Sequence, residues 1–325
     1  MNRESIKSYF LNAGCILALS ILYCITGGLV QFLAGILASV LIGTSVTKHH
    51  YAFVSIECLL CLAVVSGFYG IQAGVMGIIA GLSSGVILVL IGIGLGLSTN
   101  LKLSVSGTVL LCSAIYLANM LIGFMLIGRE MPFDILLSEF RDILSETFKA
   151  QYSSMPDIGM QLDAVIDEMM ALTFKFMPSF LICSALISGF IATLIYSKTV
   201  VKLNKNVKPV SFSFLRVERT VGVLCIVILL IAAFSEDALI SDAVLNVVVI
   251  MSFIFFICGL SYFDFSMKKK GKNRTYRSIM IIVVIPLVSM LFLLPSAVIC
   301  GAGFLDSLIN FRKNKISRED ENGNQ

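Results

Sequence analysis

Long apolar runs separated by short polar connectors make up most of the chain, and one longer polar stretch interrupts them near the middle. Outside residues 128–173 and the last residues, nearly every segment belongs to an apolar run. A helix of about 20 apolar residues is long enough to cross a bilayer. The pattern therefore predicts an all-α protein whose helices are mostly transmembrane.

The apolar runs predict about ten spans, with eight or nine as alternatives if a short hairpin is re-entrant. Residues 9–46 divide into two short spans at Gly27-Gly28, and the run 279–311 is too long for one span and divides at Pro295. The other predicted spans are 51–69, 72–97, 103–127, 174–197 (with Pro178 near its start), 220–234 and 243–263. The predicted domains are an N-terminal bundle (1–128), the polar stretch (129–173), a C-terminal bundle (174–311) and a disordered tail (312–325).

The polar stretch 129–173 carries apolar residues at helical spacing, with nine acidic residues between Gly128 and Thr173. Two amphipathic helices on either side of residues 151–157 fit this spacing, and they predict a helical hairpin. Their apolar faces must rest on the bilayer, on the transmembrane helices or on a partner. The candidate lid or docking face comprises Phe140, Leu144, Ile166 and Met169.

Composition and charge support the membrane class and predict an orientation. Apolar residues make up 58% of the chain, charged residues 14%, and there is no Trp, which excludes an ordinary soluble domain. With ten spans and a cytoplasmic N-terminus, 20 of the 24 Lys and Arg residues lie on the cytoplasmic side. We therefore expect both termini in the cytoplasm, the hairpin outside the cell, and the lipid bilayer as the main partner.

Two ionisable residues, Glu57 and Asp306, lie inside predicted spans. A carboxyl group in a membrane is costly, so proton coupling, cation binding or substrate contact is the first hypothesis for each. A simpler interpretation for Glu57 is a position near the inner end of its span. Asp306 lies six residues before Arg312, and it could reach the cytoplasmic interface or tether a basic segment. Asn246 is a further candidate. Gln31 is also a polar residue within a span, and hydrogen bonding between helices explains such residues as well.

The sequence gives little indication of disulfide bonds, metal binding or catalysis. All nine cysteines lie within predicted spans, so no disulfide framework is expected, and Cys58 and Cys61 are interpreted as small apolar residues. With two histidines in the chain, we expect no metal site. The sequence also lacks a nucleophile–base pair and a Walker motif. We expect no enzymatic activity, no cofactor and no nucleic-acid partner.

The second half of the chain carries several recognisable short motifs. They are Pro178 before a long span, Phe212-Ser-Phe214, Asn246, Gly259-Leu-Ser261, Gly303-Phe-Leu-Asp306 and Phe311-Arg-Lys313. Over about residues 174–315 the chain resembles the YybS-like family of predicted bacterial membrane proteins. The resemblance implies a bacterial cytoplasmic membrane protein, and the family has no established activity.

The glycine-rich spans of the first half are similar in style to the substrate-binding membrane subunits of energy-coupling-factor vitamin transporters. That similarity implies a membrane or ATPase partner subunit. Two functional hypotheses follow. One is a small-molecule transporter or its substrate-binding subunit, with the hairpin as a lid over an outward-facing pocket. The other is a non-transporting scaffold or assembly factor of the bacterial envelope, with the hairpin docking a partner. A lid predicts a buried apolar face and a cavity beneath it, whereas a docking surface predicts an exposed face.

Overall fold

In the computed structural model, the described part of the chain is almost entirely helical and contains no strand. The structure describes residues 3–48, 51–130, 133–151, 159–203, 212–234, 238–291 and 293–312. The predicted all-α class is therefore confirmed. In chain order the helices are α1 (Arg3–Ile25), α2 (Gly28–Lys48), α3 (Tyr51–Asn100), α4 (Val105–Glu130), α5 (Phe133–Gln151), α6 (Gly159–Leu203), α7 (Arg219–Phe234), α8 (Ala238–Lys269), α9 (Arg274–Ile279), α10 (Ile285–Leu291) and α11 (Leu293–Ile309).

Two short turns of other helical type complete these elements: a 3₁₀ turn at Phe212–Phe214 and a π turn at Met280–Val284 between α9 and α10. Within the described residues, five helical segments are long and apolar enough to cross a membrane. They are Gly28–Lys48, Tyr51–Asn100, Val105–Leu126, Asp163–Val200 and Ile240–Lys269. Shorter apolar helices cover Tyr9–Ile25, Arg219–Ile231 and Leu294–Ile309. These helices identify the chain as a membrane protein.

Helix α3 reverses direction near its middle. Ala73 and Gly74 have non-helical backbone angles, and Gly74 has φ +61°, a left-handed value that glycine adopts without steric cost. Beyond this point Gly81 lies against Ser66, and Gly85 lies against Leu62. Later residues thus contact progressively earlier ones, so the two arms of α3 (51–72 and 75–100) run antiparallel. The reversal lies close to the predicted boundary between the spans 51–69 and 72–97.

Helix α2 packs closely on the second arm of α3. A Cβ atom on Gly92 would come within 2.7 Å of Ile42 and 2.8 Å of the Ser39 carbonyl oxygen, so only glycine fits without a shift. Ile36, Ile42 and Ile91 are fully buried around this crossing. In a membrane, small residues at such crossings let two helix backbones approach and gain van der Waals contact. The glycines in the second arm of α3 thus serve helix packing.

Helix α6 is one continuous helix of 45 residues, which differs from the predicted separation between a hairpin helix and the span 174–197. Pro178 therefore lies in the helix interior, and the predicted position near the start of a helix is wrong. The residue after it, Ser179, hydrogen-bonds through its backbone N–H to the Asn246 side chain on α8, 3.3 Å away. A side-chain acceptor thus supports the backbone next to the proline.

In the last apolar run the described residues form α10, which ends at Leu291, and α11, which begins at Leu293. Residue 292 lies outside the described residues, and the division at Pro295 stays a prediction. On the first half, the division at Gly27-Gly28 agrees with the structure, since α1 ends at Ile25 and α2 begins at Gly28.

The chain forms two compact units. The first comprises Met1–Thr173 and Leu181–Val210, and the second comprises Phe174–Phe180 and Ser211–Gln325. Helix α6 thus contributes residues to both. The first unit has a large apolar core on α1 to α4 and α6, whereas the second has two smaller clusters centred on Phe255 and Leu260 of α8. In the second unit, Gly259 and Gly303 bring α8 and α11 into backbone contact.

Candidate functional site

The three polar residues predicted inside the membrane lie in three separate clusters. Glu57 belongs to the first unit, and Asn246 and Asp306 belong to the second. Within the second unit, Asn246 and the Asp306 cluster, which includes Ser261, are 15 residues apart along α8, or about 22 Å at 1.5 Å per residue. Within the second unit, the structure therefore does not bring Asn246 and Asp306 into one site.

Glu57 lies among α1, α2 and the first arm of α3, and its side chain is fully buried. The Asn12 side-chain amide donates to Glu57 Oε1 at 3.2 Å and to Ser45 Oγ at 2.6 Å. The other carboxyl oxygen of Glu57, Oε2, has no hydrogen-bond partner in the described part of the chain. The carboxyl group of Glu57 is therefore only partly hydrogen-bonded. This distinguishes it from a polar residue whose role is only to hydrogen-bond two helices together.

A partly polar pocket of about 290 Å³ opens among α1, α2, α4 and the second arm of α3. It lies where α1 ends and α2 begins. Four polar side chains on three helices reach it, and its other lining residues are apolar or glycine. The polar ones are Tyr23, Gln31, Tyr116 and Asn119.

Two of these polar groups are held by neighbours on α3. Gln31 donates from Nε2 to Tyr69 Oη at 3.1 Å, and Asn119 Oδ1 accepts from Ser83 Oγ at 3.3 Å. Such contacts orient the amides that face the pocket. Sequence reasoning noted Gln31 only as a candidate for hydrogen bonding between helices and missed the other three, since nothing in a single sequence indicates that they meet.

A larger cavity of about 390 Å³ opens beside α1, α2 and the end of α6 in the first unit. Its lining includes Ala18, Leu37 and Val40, and Thr199 is its one hydroxyl-bearing residue. An apolar surface of this kind accepts a lipid chain as readily as any other apolar group. The smaller pocket is therefore the better candidate for specific recognition, because convergent polar groups provide specificity.

Asn246 ties α8 to residues 174–180 of α6. Its side-chain Nδ2 donates to the carbonyl oxygens of Lys175 and Asp242, at 2.9 and 3.0 Å, and its Oδ1 lies within hydrogen-bond distance of the Ser179 N–H and hydroxyl. An ion pair between Lys175 Nζ and Asp242 Oδ1, 2.6 Å apart, adds to the cluster. Both Nδ2 hydrogens have acceptors, so Asn246 has a structural role here.

Asp306 pairs with Arg312 in the interior of the second unit. Arg312 Nη2 lies 2.9 Å from Asp306 Oδ2, and both side chains are buried, with exposures of 2% and 0%. Helix α11 ends at Ile309, and Asn310 takes the left-handed conformation with φ +55°. Its N–H bonds to the Asp306 carbonyl oxygen at 3.1 Å, so the chain turns back after the helix.

The tether interpretation of Asp306 agrees with this pair. The predicted start of a disordered tail at residue 312 is wrong for Arg312 itself, and residues 313–325 lie outside the described residues. The guanidinium group also donates to the Ser213 carbonyl oxygen at 2.6 Å, to Ser261 Oγ at 3.0 Å and to the Cys258 carbonyl oxygen at 3.4 Å. It lies within 6 Å of the rings of Tyr262 and Phe265.

A second buried ion pair joins this cluster through Ser213. Ser213 Oγ donates to Asp264 Oδ2 at 2.5 Å, and Arg277 Nε lies 3.0 Å from Asp264 Oδ1. The cluster therefore joins the 3₁₀ turn, the end of α8, α9 and the end of α11. Because each carboxylate faces a guanidinium group, its charges balance, and a role in fixing this end of the second unit explains it without a ligand.

The predicted hairpin face is buried in one part and exposed in another. Helix α5 contacts the first turns of α6 through Arg141, which binds the Asp167 carboxylate with two hydrogen bonds of 2.6 and 3.1 Å. Ile166 is 1% exposed, and Leu144 is partly buried. Phe140 and Met169 are each 48% exposed. Neither the fully buried face expected for a lid nor the open face expected for a docking surface is present. The link between the two helices, residues 152–158, lies outside the described residues.

Comparison with known proteins adds a family. A family model described as "Predicted membrane protein (DUF2232)" matches residues 14–306, which is most of the chain. No curated protein and no solved structure shows significant similarity to it. The apolar helices agree with the family's description as membrane proteins. Because the match covers most of the chain, the chain belongs to the DUF2232 family of predicted membrane proteins.

Proposed function

We propose that this protein is a non-enzymatic, transport-related membrane protein whose first unit binds a small molecule in the pocket among α1 to α4. The observation that carries the proposal is the convergence of Tyr23, Gln31, Tyr116 and Asn119 from three helices on one cavity. Polar side chains are costly inside a membrane unless they are paired or used. A pocket lined by them is a suitable place for a polar ligand.

The lining indicates the class of ligand. Its volume of about 290 Å³ is at the small end of the range for ligand pockets. The pocket lining includes no charged side chain, so an ionic ligand would enter without a counter-charge. Two tyrosine rings and two amides suit an uncharged molecule with hydrogen-bonding groups, and an aromatic ring could stack on either tyrosine.

The orientation belongs to the same proposal. We place the protein in a bacterial cytoplasmic membrane with ten spans and both termini in the cytoplasm, as the distribution of Lys and Arg favours. In that orientation the end of α1 and the start of α2 face outward, so the pocket opens on the side of α5 and the first turns of α6. The proposal also includes a relation of this chain to YybS-like proteins and its association with a membrane or ATPase partner subunit.

An alternative function, a scaffold or assembly factor of the envelope, is favoured by one observation. Half of the predicted hairpin face stays exposed, including Phe140 and Met169. Ile135, Ile143, Val165 and Leu172 on the same pair of helices are also about half exposed or more. A partner outside the membrane could cover this surface.

Ligand-induced stabilisation of the purified protein tests the pocket. We would follow thermal unfolding of the full chain with a library of small uncharged compounds and a matched set of charged ones. A ligand at 100 times its dissociation constant stabilises a protein by about 2.7 kcal/mol. We expect an uncharged compound to raise the melting temperature of the wild type and to have no such effect on Gln31→Leu.

The matched control is Gln72→Leu, the same substitution at an exposed position on α3. It should leave the ligand effect intact. If no compound stabilises the protein, or if stabilisation persists in Gln31→Leu, the pocket is not the binding site. Recovery of a stoichiometric envelope partner that is lost in Phe140→Asp would then support the scaffold instead.

A further inference from the structure

The charge balance around Glu57 is incomplete. The side chain is 0% exposed, and its hydrogen-bonding neighbours are uncharged: the Asn12 amide and the Ser45 hydroxyl. Oε2 has no hydrogen-bond partner within the described residues. Asp306, the other buried acid of the predicted spans, faces Arg312 instead. A buried carboxylate without a counter-charge is far costlier than a neutral carboxylic acid at the same place.

The groups around Glu57 carry no positive charge in the described part of the chain. From α1, Tyr9 and Asn12 face it, and the Tyr9 ring packs against the Phe53 ring in a tilted arrangement with centroids 4.5 Å apart. From α2, Ser45 faces it. On α3 itself, Cys58 lies within electrostatic range. Tyr9 and Cys58 are the titratable neighbours, and each would become negative on losing a proton, which cannot balance a carboxylate.

From this geometry we propose that Glu57 is a reversible proton-binding site, with the proton on Oε2 in the conformation described. On release, the Oε2–H bond breaks, the proton passes to water and the carboxylate remains. The Asn12 amide then donates to a charged acceptor, a stronger hydrogen bond than it makes to the neutral acid. A proton therefore changes the contact among α1, α2 and α3.

Helix α2 connects this site to the pocket. Gln31 lies at the pocket and Ser45 at the proton site, 14 residues apart or about 21 Å along the helix. The two sites thus lie near opposite ends of α2, and one helix carries a residue of each. This coupling rests on the proposed function, whereas the proton site rests on Glu57 and its neighbours alone.

Infrared spectroscopy of the full-length protein in lipid nanodiscs tests the assignment without any ligand. An exposed glutamic acid has a pKa of about 4.3, so at about pH 7 it shows no carboxylic-acid C=O band. We expect the wild type to show this band at about pH 7 and Glu57→Gln to lack it. In a proton titration to alkaline pH, the wild type should release one more proton than the variant.

The control is Glu139→Gln, the same substitution at an exposed position on α5, which should keep the band. Asn12→Leu serves as a second variant in case Glu57→Gln does not fold. It keeps the carboxyl group and removes the donor that favours the ionised form, so the titration midpoint should move to higher pH. An unmoved midpoint overturns the proposal.

Two further results would also overturn it. One is a wild-type spectrum without the acid band, which would show that Glu57 is ionised. The other is stabilisation by sodium chloride, compared with choline chloride, that Glu57→Gln abolishes, since the site would then take a metal cation. The pocket proposal is tested separately from the proton site. Gln31→Leu is tested by the ligand-induced change in melting temperature, and Glu57→Gln is tested by the infrared band and the proton titration.

Discussion

Removing the Arg312 guanidinium group should destabilise the second unit strongly. Arg312→Met keeps a long apolar side chain but leaves Asp306 buried and charged, since Arg312 is its only ion-pair partner among the described residues. The Ser213 carbonyl oxygen and Ser261 also lose a donor. Removal of one partner of a buried ion pair costs about 3–5 kcal/mol. We expect a loss of that size in the free energy of unfolding.

Substitution of the acidic partner, Asp306→Asn, should reduce stability less, because Arg312 has polar contacts other than Asp306. In Asp306→Asn the guanidinium group keeps three oxygen acceptors, on Ser213, Ser261 and Cys258. The loss should stay below the roughly 3–5 kcal/mol of a buried charge left without any partner. Adding Asp306→Asn to Arg312→Met should then raise stability, because no uncompensated charge remains.

The chain itself supplies the assay. It contains no Trp, so intrinsic tryptophan fluorescence is not usable, but Cys258 is buried beside Arg312. A chain that keeps Cys258 as its single cysteine, melted with a thiol-reactive dye, reports opening at the cluster. The control is Arg219→Met at an exposed position, expected to stay within about 0.5 kcal/mol of the wild type. The reasoning would be refuted if Arg312→Met melted at the same temperature as the wild type. It would also be refuted if the double variant were no more stable than Arg312→Met.

Two further predictions concern packing and orientation. Gly92→Ala should cost about 1–3 kcal/mol through overpacking against Ile42, whereas Gly67→Ala, with no atom within 4 Å of the added Cβ, should cost nothing. Equal melting temperatures for the two variants would contradict the close crossing. In a cysteine-free background, Ser138→Cys should react with an impermeant thiol reagent in intact bacterial cells, and Lys270→Cys only after permeabilisation. The opposite labelling pattern would reverse the orientation.

Local patterns in the sequence were enough for the class and for many helix boundaries. Apolar runs predict helices because each helix satisfies its own backbone hydrogen bonds, which depend on near neighbours in sequence. The reversal at Gly74 follows from a glycine-rich sequence between two runs. The continuity of α6 was missed because its first turns are amphipathic and its later turns apolar, so one helix carries two patterns.

The sites depended on contacts that sequence spacing does not encode. Arg312 appeared to belong to a polar tail, because its position depends on the left-handed turn at Asn310 and on acceptors about 50 and 99 residues away. The pocket combines Tyr23 and Tyr116 from helices that a single sequence does not pair. Glu57 and Asp306 were both candidate acids within predicted spans, and the structure gives Asp306 a guanidinium partner and Glu57 none among the described residues.

The division of α6 between two units has a consequence for biosynthesis. Ser179 finds its acceptor Asn246 67 residues later in the chain. At about 5–20 residues per second, a ribosome needs roughly 3–13 s to make that stretch. During this interval the nascent α6 carries Lys175 and Ser179 without α8, so translation products that stop before α8 should be preferred substrates of membrane quality-control proteases.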